Sequence, residues 1–127
     1  MIVGIGLDVV HVPRIRRLLD DKGDRAIERL FTSGEATYCG GKSDPARHFA
    51  ARIAAKEAAF KALAGTDQAR GIGWRDTEVI TLGDGRPSIL FHAQALTRAN
   101  ELGVARVMVS LTHDGEVAVG MVVLERD

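Results

Sequence analysis

The stretch Arg52-Ile53-Ala54-Ala55-Lys56-Glu57-Ala58-Ala59-Phe60-Lys61 decides how the rest of the chain is read. Alanine has the best helix propensity and lysine and glutamate follow closely, so this segment is helical with little help from tertiary contacts. At about 100° per residue, Phe49, Ile53, Phe60 and Leu63 form one bulky stripe, edged by Ala46 and Ala64. Glu57 lies beside that stripe, next to Ala50 and Ala54, so its carboxylate is expected to meet another element across a close, small-residue contact. Just upstream, Ser43-Asp44-Pro45 supplies a cap and a first-turn proline, which predicts a helix over 45–64 that stops at Gly65.

Upstream of the helix, residues 2–10 alternate and read as a strand. Val3, Ile5, Leu7 and Val9 point one way, and Ile2, Gly4, Gly6, Asp8 and Val10 the other. Glycines inside a strand often mark the close approach of another backbone or a ligand, and Asp8 shares their face. Pro13 suits a first helical turn, and Ile15, Leu18 and Leu19 give 13–21 an apolar side. Arg14 and Arg17 are left as an exposed basic pair, with Arg16, Lys22 and Arg25 nearby. A short helix is expected over 24–31. Thr32-Ser33-Gly34-Glu35 has capping-box spacing for a third, ended by Gly40-Gly41.

Downstream, Thr66–Arg75 reads as a loop long enough to be functional, packed down by Trp74. The period then changes to two. Residues 78–82 and 88–92 flank the glycine-rich turn 83–87 as a hairpin, 93–102 is helical, and 105–112 and 116–124 form a second hairpin across His113-Asp114-Gly115. This order predicts an α+β fold, a mainly antiparallel sheet packed against a long central helix and shorter helices.

The 127 residues, 46% hydrophobic, suit a single domain spanning 1–127. Lys+Arg and Asp+Glu balance at 17 each, so no global charge draws the protein to nucleic acid or an anionic membrane, and an electrostatic partner must be met by a local patch. The segment 1–8 lacks a basic region and ends on Asp8, unlike a signal peptide or a membrane span, so a cytoplasmic location is expected. Cys39 is the only cysteine, which excludes an internal disulfide and a thiolate metal cluster.

Asp8 and Glu57 are the first candidates for chemistry, since two hard oxygen ligands with open positions suit Mg²⁺. Equally, Glu57 and Lys61 stand four apart and read as a surface ion pair. Arg47, Arg52, Lys56 and Lys61, with Lys42 just before the helix, are the cations that a metal-assisted phosphoryl or diphosphate site needs, or else a solvated helix face. His113, in a tight turn at a strand end, could meet a phosphate or act as a base. His11, His48 and His92 share no ligand spacing and read as structural.

Together these residues resemble the holo-acyl-carrier-protein synthases, the short bacterial type of 4′-phosphopantetheinyl transferase. Ile5-Gly6-Leu7-Asp8-Val9 is similar to the family's G-x-D motif, and Arg52 to Ala58 to its R-F-A-A-K-E-A signature. Ser110-Leu111-Thr112-His113 matches its S-I-[ST]-H strand end, and Gly85-Arg86-Pro87 its G-K-P turn. Ile53 replaces the usual Phe, and Asp84 stands where some relatives have Asn.

The resemblance implies transfer of 4′-phosphopantetheine from coenzyme A to a serine of apo-acyl-carrier protein, releasing adenosine 3′,5′-bisphosphate. It implies Asp8 and Glu57 as Mg²⁺ ligands and Lys61 as the group that stabilises the leaving charge. Glu57, a metal-bound water or His113 would be the base. Arg47, Arg52, Lys56, Lys61, Asp84, Gly85, Pro87, Ser110 and His113 would line coenzyme A, with Arg52 and His113 at the 3′-phosphate end. Arg14, Arg17 and Arg25 would dock the acidic carrier protein, and the chain would form a homotrimer with inter-subunit sites. A noncatalytic nucleotide- or carrier-binding module and a Mg²⁺-dependent diphosphate hydrolase are the competing functions.

Overall fold

Strand β1 (Ile2–His11) opens the chain, and three short helices follow: α1 (Val12–Lys22), α2 (Asp24–Leu30) and α3 (Ser33–Gly40). The long helix α4 (Pro45–Leu63) comes next. A 3₁₀ turn (Trp74–Asp76) then leads into the hairpin β2 (Thr77–Thr81) and β3 (Pro87–Phe91), helix α5 (Ala93–Glu101), and the hairpin β4 (Arg106–Asp114) and β5 (Val117–Glu125). This computed structural model describes residues 1–63 and 71–127. The predicted helix stop at Gly65, the stripe-edge position Ala64 and the first part of the 66–75 loop lie outside the described residues.

All strand pairings are antiparallel, in one sheet of order β1-β5-β4 and a separate β2-β3 ribbon. The α+β expectation holds, and α4 packs between the larger sheet and the remaining elements. Asp44 caps α4 as its sequence suggests, accepting from the Arg47 backbone while Arg16 grips its carboxylate at 3.1 Å. The capping box of α3 forms as well: Thr32 Oγ1 accepts from the Glu35 N–H, and the Glu35 carboxylate accepts from the Thr32 N–H.

The seam between α4 and the sheet is made of residues without bulk. A Cβ added at Gly6 would collide with the Ala58 carbonyl, one at Gly4 with the Ala62 carbonyl, and one at Gly120 would lie 2.7 Å from Ala54. Helix and sheet backbones therefore touch almost directly, which explains the glycines of β1 and the alanines of α4 together. Asp8, two residues beyond Gly6 on the same face, is carried to the edge of this seam.

Three expectations are corrected. Phe49, Ile53 and Leu63 are buried, but Phe60 is 44% exposed, because it belongs to neither of the two clusters that cover Phe49 and Ile53 towards one end of α4 and Leu63 at the other. His113 is not in a tight turn: β4 continues through it, it pairs with Ala118, and the chain reverses only at Gly115. A bulge between Ile2 and Gly4 turns Val3 towards the core, so it does not share the outer face of Ile5, Leu7 and Val9. Cys39 is a buried free thiol whose pKa burial pushes up to about 11, as an inert structural cysteine requires. Among the described residues no helix is long and apolar enough to cross a membrane.

Candidate functional site

Asp8 and Glu57 come together across the glycine–alanine seam, with their carboxyl groups within hydrogen-bonding reach of each other. Lys61, one turn further along α4, donates to Asp8 Oδ1 at 2.9 Å and to the Leu7 carbonyl at 3.0 Å. The i, i+4 relation of Glu57 to Lys61 thus resolves into a triad in which the ammonium bonds the opposite carboxylate.

The two acids differ electrically. Burial and then the Asp8 carboxylate push Glu57 up to about 7, only partly offset by Arg14 and Lys61. Burial also works against the Asp8 charge, but hydrogen bonds from Glu57 and Lys61 outweigh it and hold Asp8 below its ordinary value. Asp8 Oδ2 is buried, and among the described residues no N–H or hydroxyl donates to it. An oxygen in that position, facing a second carboxyl that resists ionisation, calls for either a shared proton or a cation. Among the described residues no three His, Cys, Asp or Glu side chains gather into one group. Two carboxylates with the remaining positions open to water and substrate oxygens fit Mg²⁺ better than Zn²⁺.

Beside this triad opens a cavity of about 370 Å³ walled by Glu57, Phe60, Lys61, Ile72, Gly73 and Trp74. Its lining is largely apolar, and the exposed ring of Phe60 is part of it. Lys56 also borders the cavity, but not as a free cation. It is 3% exposed, and its Nζ lies 2.7 Å from Glu35 Oε1, 2.7 Å from the Trp74 carbonyl and 2.5 Å from the Thr77 carbonyl. An ammonium has three protons, and three acceptors use them. This overturns the expectation that Lys56 lines coenzyme A through its charge.

A second cluster lies on another side of α4. Arg52 and Glu57 are five residues apart, about 140° around the helix, and their surroundings do not overlap. The Arg52 guanidinium sits 4.4 Å from the centroid of the Tyr38 ring, and Lys42 lies 4.5 Å from the same ring. His48 meets that ring edge-on at 6.2 Å. Burial works against the Tyr38 phenolate, but a hydrogen bond with Thr81 and the two cations hold the phenol below its usual value. Burial, then Arg52 and Lys42, lower His48, and His113 is close enough to add to that effect. Arg52 is 6% exposed, its Nε has no partner, and among the described residues it pairs with no carboxylate. Such a group is suited to an anion brought from outside.

The other expected residues are distributed as follows. Asp84, Gly85 and Pro87 belong to the β2–β3 turn, beyond Thr81, where Asp84 pairs with Arg86 at 2.7 Å and Gly85 takes φ 89°. Ser110 is exposed on the outer face of β4 opposite Met121, away from α4. Arg47 sits in the first turn of α4 beside Asp44. Arg14, Arg17 and Arg25 are exposed as expected, and Arg14 is near enough to act on Glu57.

Sequence reasoning missed Tyr38, Thr81 and Glu35, and set His48 aside as structural. The signal for Glu35 was present but fully absorbed by its capping box, which uses one of its two oxygens and leaves the other for the Val79 N–H at 2.8 Å.

Residues 4–121 match the family profile of the 4′-phosphopantetheinyl transferase superfamily. The chain is similar to the holo-[acyl-carrier-protein] synthase of Geobacter sulfurreducens, 45% identical over 126 residues that cover 99% of each chain. Its fold is similar to the crystal structure of the holo-[acyl-carrier-protein] synthase of Neisseria meningitidis, with TM-score 0.86 and 28% identity, covering 99% of this chain and 100% of that one. It is also similar to a holo-(acyl-carrier-protein) synthase from Bacillus anthracis in complex with CoA (3′,5′-ADP), with TM-score 0.80 and 32% identity over 100% and 99% of the two chains.

Proposed function

The chain belongs to the 4′-phosphopantetheinyl transferase superfamily, within its holo-[acyl-carrier-protein] synthase branch, and from that premise we propose how its two clusters divide the work. The enzyme transfers 4′-phosphopantetheine from coenzyme A to apo-acyl-carrier protein. The single observation that carries the site reading is the Asp8–Glu57 pair, with a buried, donor-less Asp8 oxygen beside a cavity large enough for a flexible arm.

Asp8 and Glu57 would hold Mg²⁺, which when bound supplies positive charge against the diphosphate. Glu57, facing the cavity beside Asp8, would also be the group to take the proton of the carrier serine. The serine oxygen forms its bond to the β-phosphorus, the phosphorus–oxygen bond to the adenosine half breaks, and adenosine 3′,5′-bisphosphate leaves. Lys61, which now bonds Asp8 at 2.9 Å, would turn to the leaving phosphate and offset its charge. The apolar cavity at Phe60 and Trp74 takes the pantetheine arm.

Arg52, with Lys42 and His48 around Tyr38 and His113 close by, would hold the terminal phosphate of the nucleotide, and the turn at Asp84, Gly85 and Pro87 would line its adenosine end. Because Arg52 and Glu57 face different sides of α4, one ligand is expected to meet Arg52 of one subunit and Glu57 of another. A homotrimer provides that arrangement. It is supported by the outer sheet face, where Ile5, Leu7, Val9, Met108 and Met121 are all exposed and adjacent in register. The exposed Arg14, Arg17 and Arg25 would receive the acidic carrier protein.

Incubation with apo-acyl-carrier protein, coenzyme A and Mg²⁺, followed by weighing the carrier by mass spectrometry, tests the reaction. The carrier is expected to gain one phosphopantetheine. No gain beside an active control enzyme would end this reading.

A further inference from the structure

We propose that Lys56 is a positioning residue: paired with Glu35, it holds the backbone of Trp74 and Thr77 and so sets the wall of the cavity beside Glu57. The inference rests on the transferase reading for its effect on turnover, but the pairing itself stands on geometry.

Four segments converge on this pair. Lys56 comes from α4, Glu35 from the first turn of α3, the Trp74 and Thr77 carbonyls from the 3₁₀ turn and the start of β2, and the Val79 N–H from β2 itself. Glu35 is 1% exposed and divides its oxygens so that Oε1 accepts from Lys56 and from the Thr32 N–H, while Oε2 accepts from Val79. The cavity has two sides. One is α4, which carries Glu57, Phe60 and Lys61; the other is the segment carrying Ile72, Gly73 and Trp74. Lys56, immediately before Glu57, is the side chain that bonds one side to the other.

Removing the ammonium would leave the Trp74 and Thr77 carbonyls without this donor in a buried place. The segment would then move outward towards water, since an unsatisfied buried acceptor is costly. Trp74 would move with it, and the wall beside Glu57 would loosen without any change in the reacting groups. No substrate contact is needed for such an effect.

The test uses the full chain as Lys56→Met, Glu35→Gln and the double variant. Three quantities are read: melting temperature, the emission of Trp74, which is the protein's one tryptophan, and the separate KM and kcat for coenzyme A. Each single variant strands a buried charge and is expected to melt lower, whereas the double variant removes both charges and recovers most of the loss. All three are expected to show red-shifted Trp74 emission and a KM for coenzyme A raised roughly ten- to a hundredfold. The double variant should be no worse than the singles, because the two residues act as one unit.

If the double variant recovers wild-type emission and KM together with its stability, the pair is only structural and the proposal is wrong. If Lys56→Met weakens coenzyme A binding while Glu35→Gln does not and Trp74 stays in place, Lys56 touches the substrate, which is also contrary. Should the singles fail to fold, the double variant decides alone. A wild-type protein inactive on coenzyme A and carrier protein would sink the transferase reading, while the emission shift would still decide the pairing.

Discussion

Glu57 is a carboxyl group that the fold makes reluctant to ionise, and this has a measurable sign. Its pKa rises from 4.5 to about 7 on folding. Below pH 4.5 both folded and unfolded chains hold the proton. Between there and 7 only the folded chain keeps it, so this contribution to stability is full at low pH and is lost as pH rises through about 7. Glu57→Gln, which keeps the shape without the charge, should therefore melt above wild type at pH 8 and close to it at pH 4.5. Added Mg²⁺ at pH 8 should raise the melting temperature of wild type by mass action and leave Asp8→Asn nearly unmoved. Both substitutions should lower turnover by roughly a hundredfold or more; retained turnover at saturating Mg²⁺ would remove them from the metal site. The acids were legible in the sequence because each sat among residues too small to explain it. Lys56 was not, since helical period gives the direction of a side chain and says nothing of Glu35 and two carbonyls arriving from elsewhere to use its protons.

At the scale of elements, the seam of β1 against α4 is the most demanding contact in the molecule. Gly6→Ala would place a methyl group on the Ala58 carbonyl, and backbone cannot rotate away as a side chain can. A loss of about 3 kcal/mol in chemical denaturation is expected, with turnover falling as Asp8 and Glu57 are pushed apart. The stripe of α4 gives a contrasting pair of variants. Phe49→Ala should cost about 3–5 kcal/mol, whereas Phe60→Ala, at the exposed end, should cost under about 1 kcal/mol and should instead raise KM for coenzyme A. The stripe was readable from spacing, but its burial was not, because cover is supplied by elements distant in sequence, which close over Phe49, Ile53 and Leu63 but not over Phe60. His113 is a similar case: glycine at 115 marked the reversal correctly, yet strand pairing ran two residues further towards it than turn chemistry alone suggested.

For the whole molecule, balanced charge favours no partner globally, so the proposed assembly would rest on the apolar outer sheet and the proposed carrier docking on a local basic patch. If the proposed trimer forms, Leu7→Lys, aimed at the centre of that outer face, should give monomers by light scattering. Turnover should fall with it if the nucleotide cluster and the carboxylate pair come from different subunits. A monomer that retains full activity would refute the shared site. Arg14→Glu should raise KM for the carrier protein more than for coenzyme A, and added salt should shrink the difference.

One consequence follows from strand order. Among the described residues, β1 pairs within its sheet only with β5, more than a hundred positions further on in sequence. On the ribosome residues 2–11 are thus made well before their partner strand and cannot complete their hydrogen bonds until residues 117–125 have emerged. That interval is on the order of 5–20 s at ordinary translation speeds. Meanwhile the apolar outer side of β1 is exposed next to an unpaired edge, where Gly4 and Gly6 can at most find α4. Asp8 is thus carried on a strand whose pairing is complete only once residues 117–125 have been made.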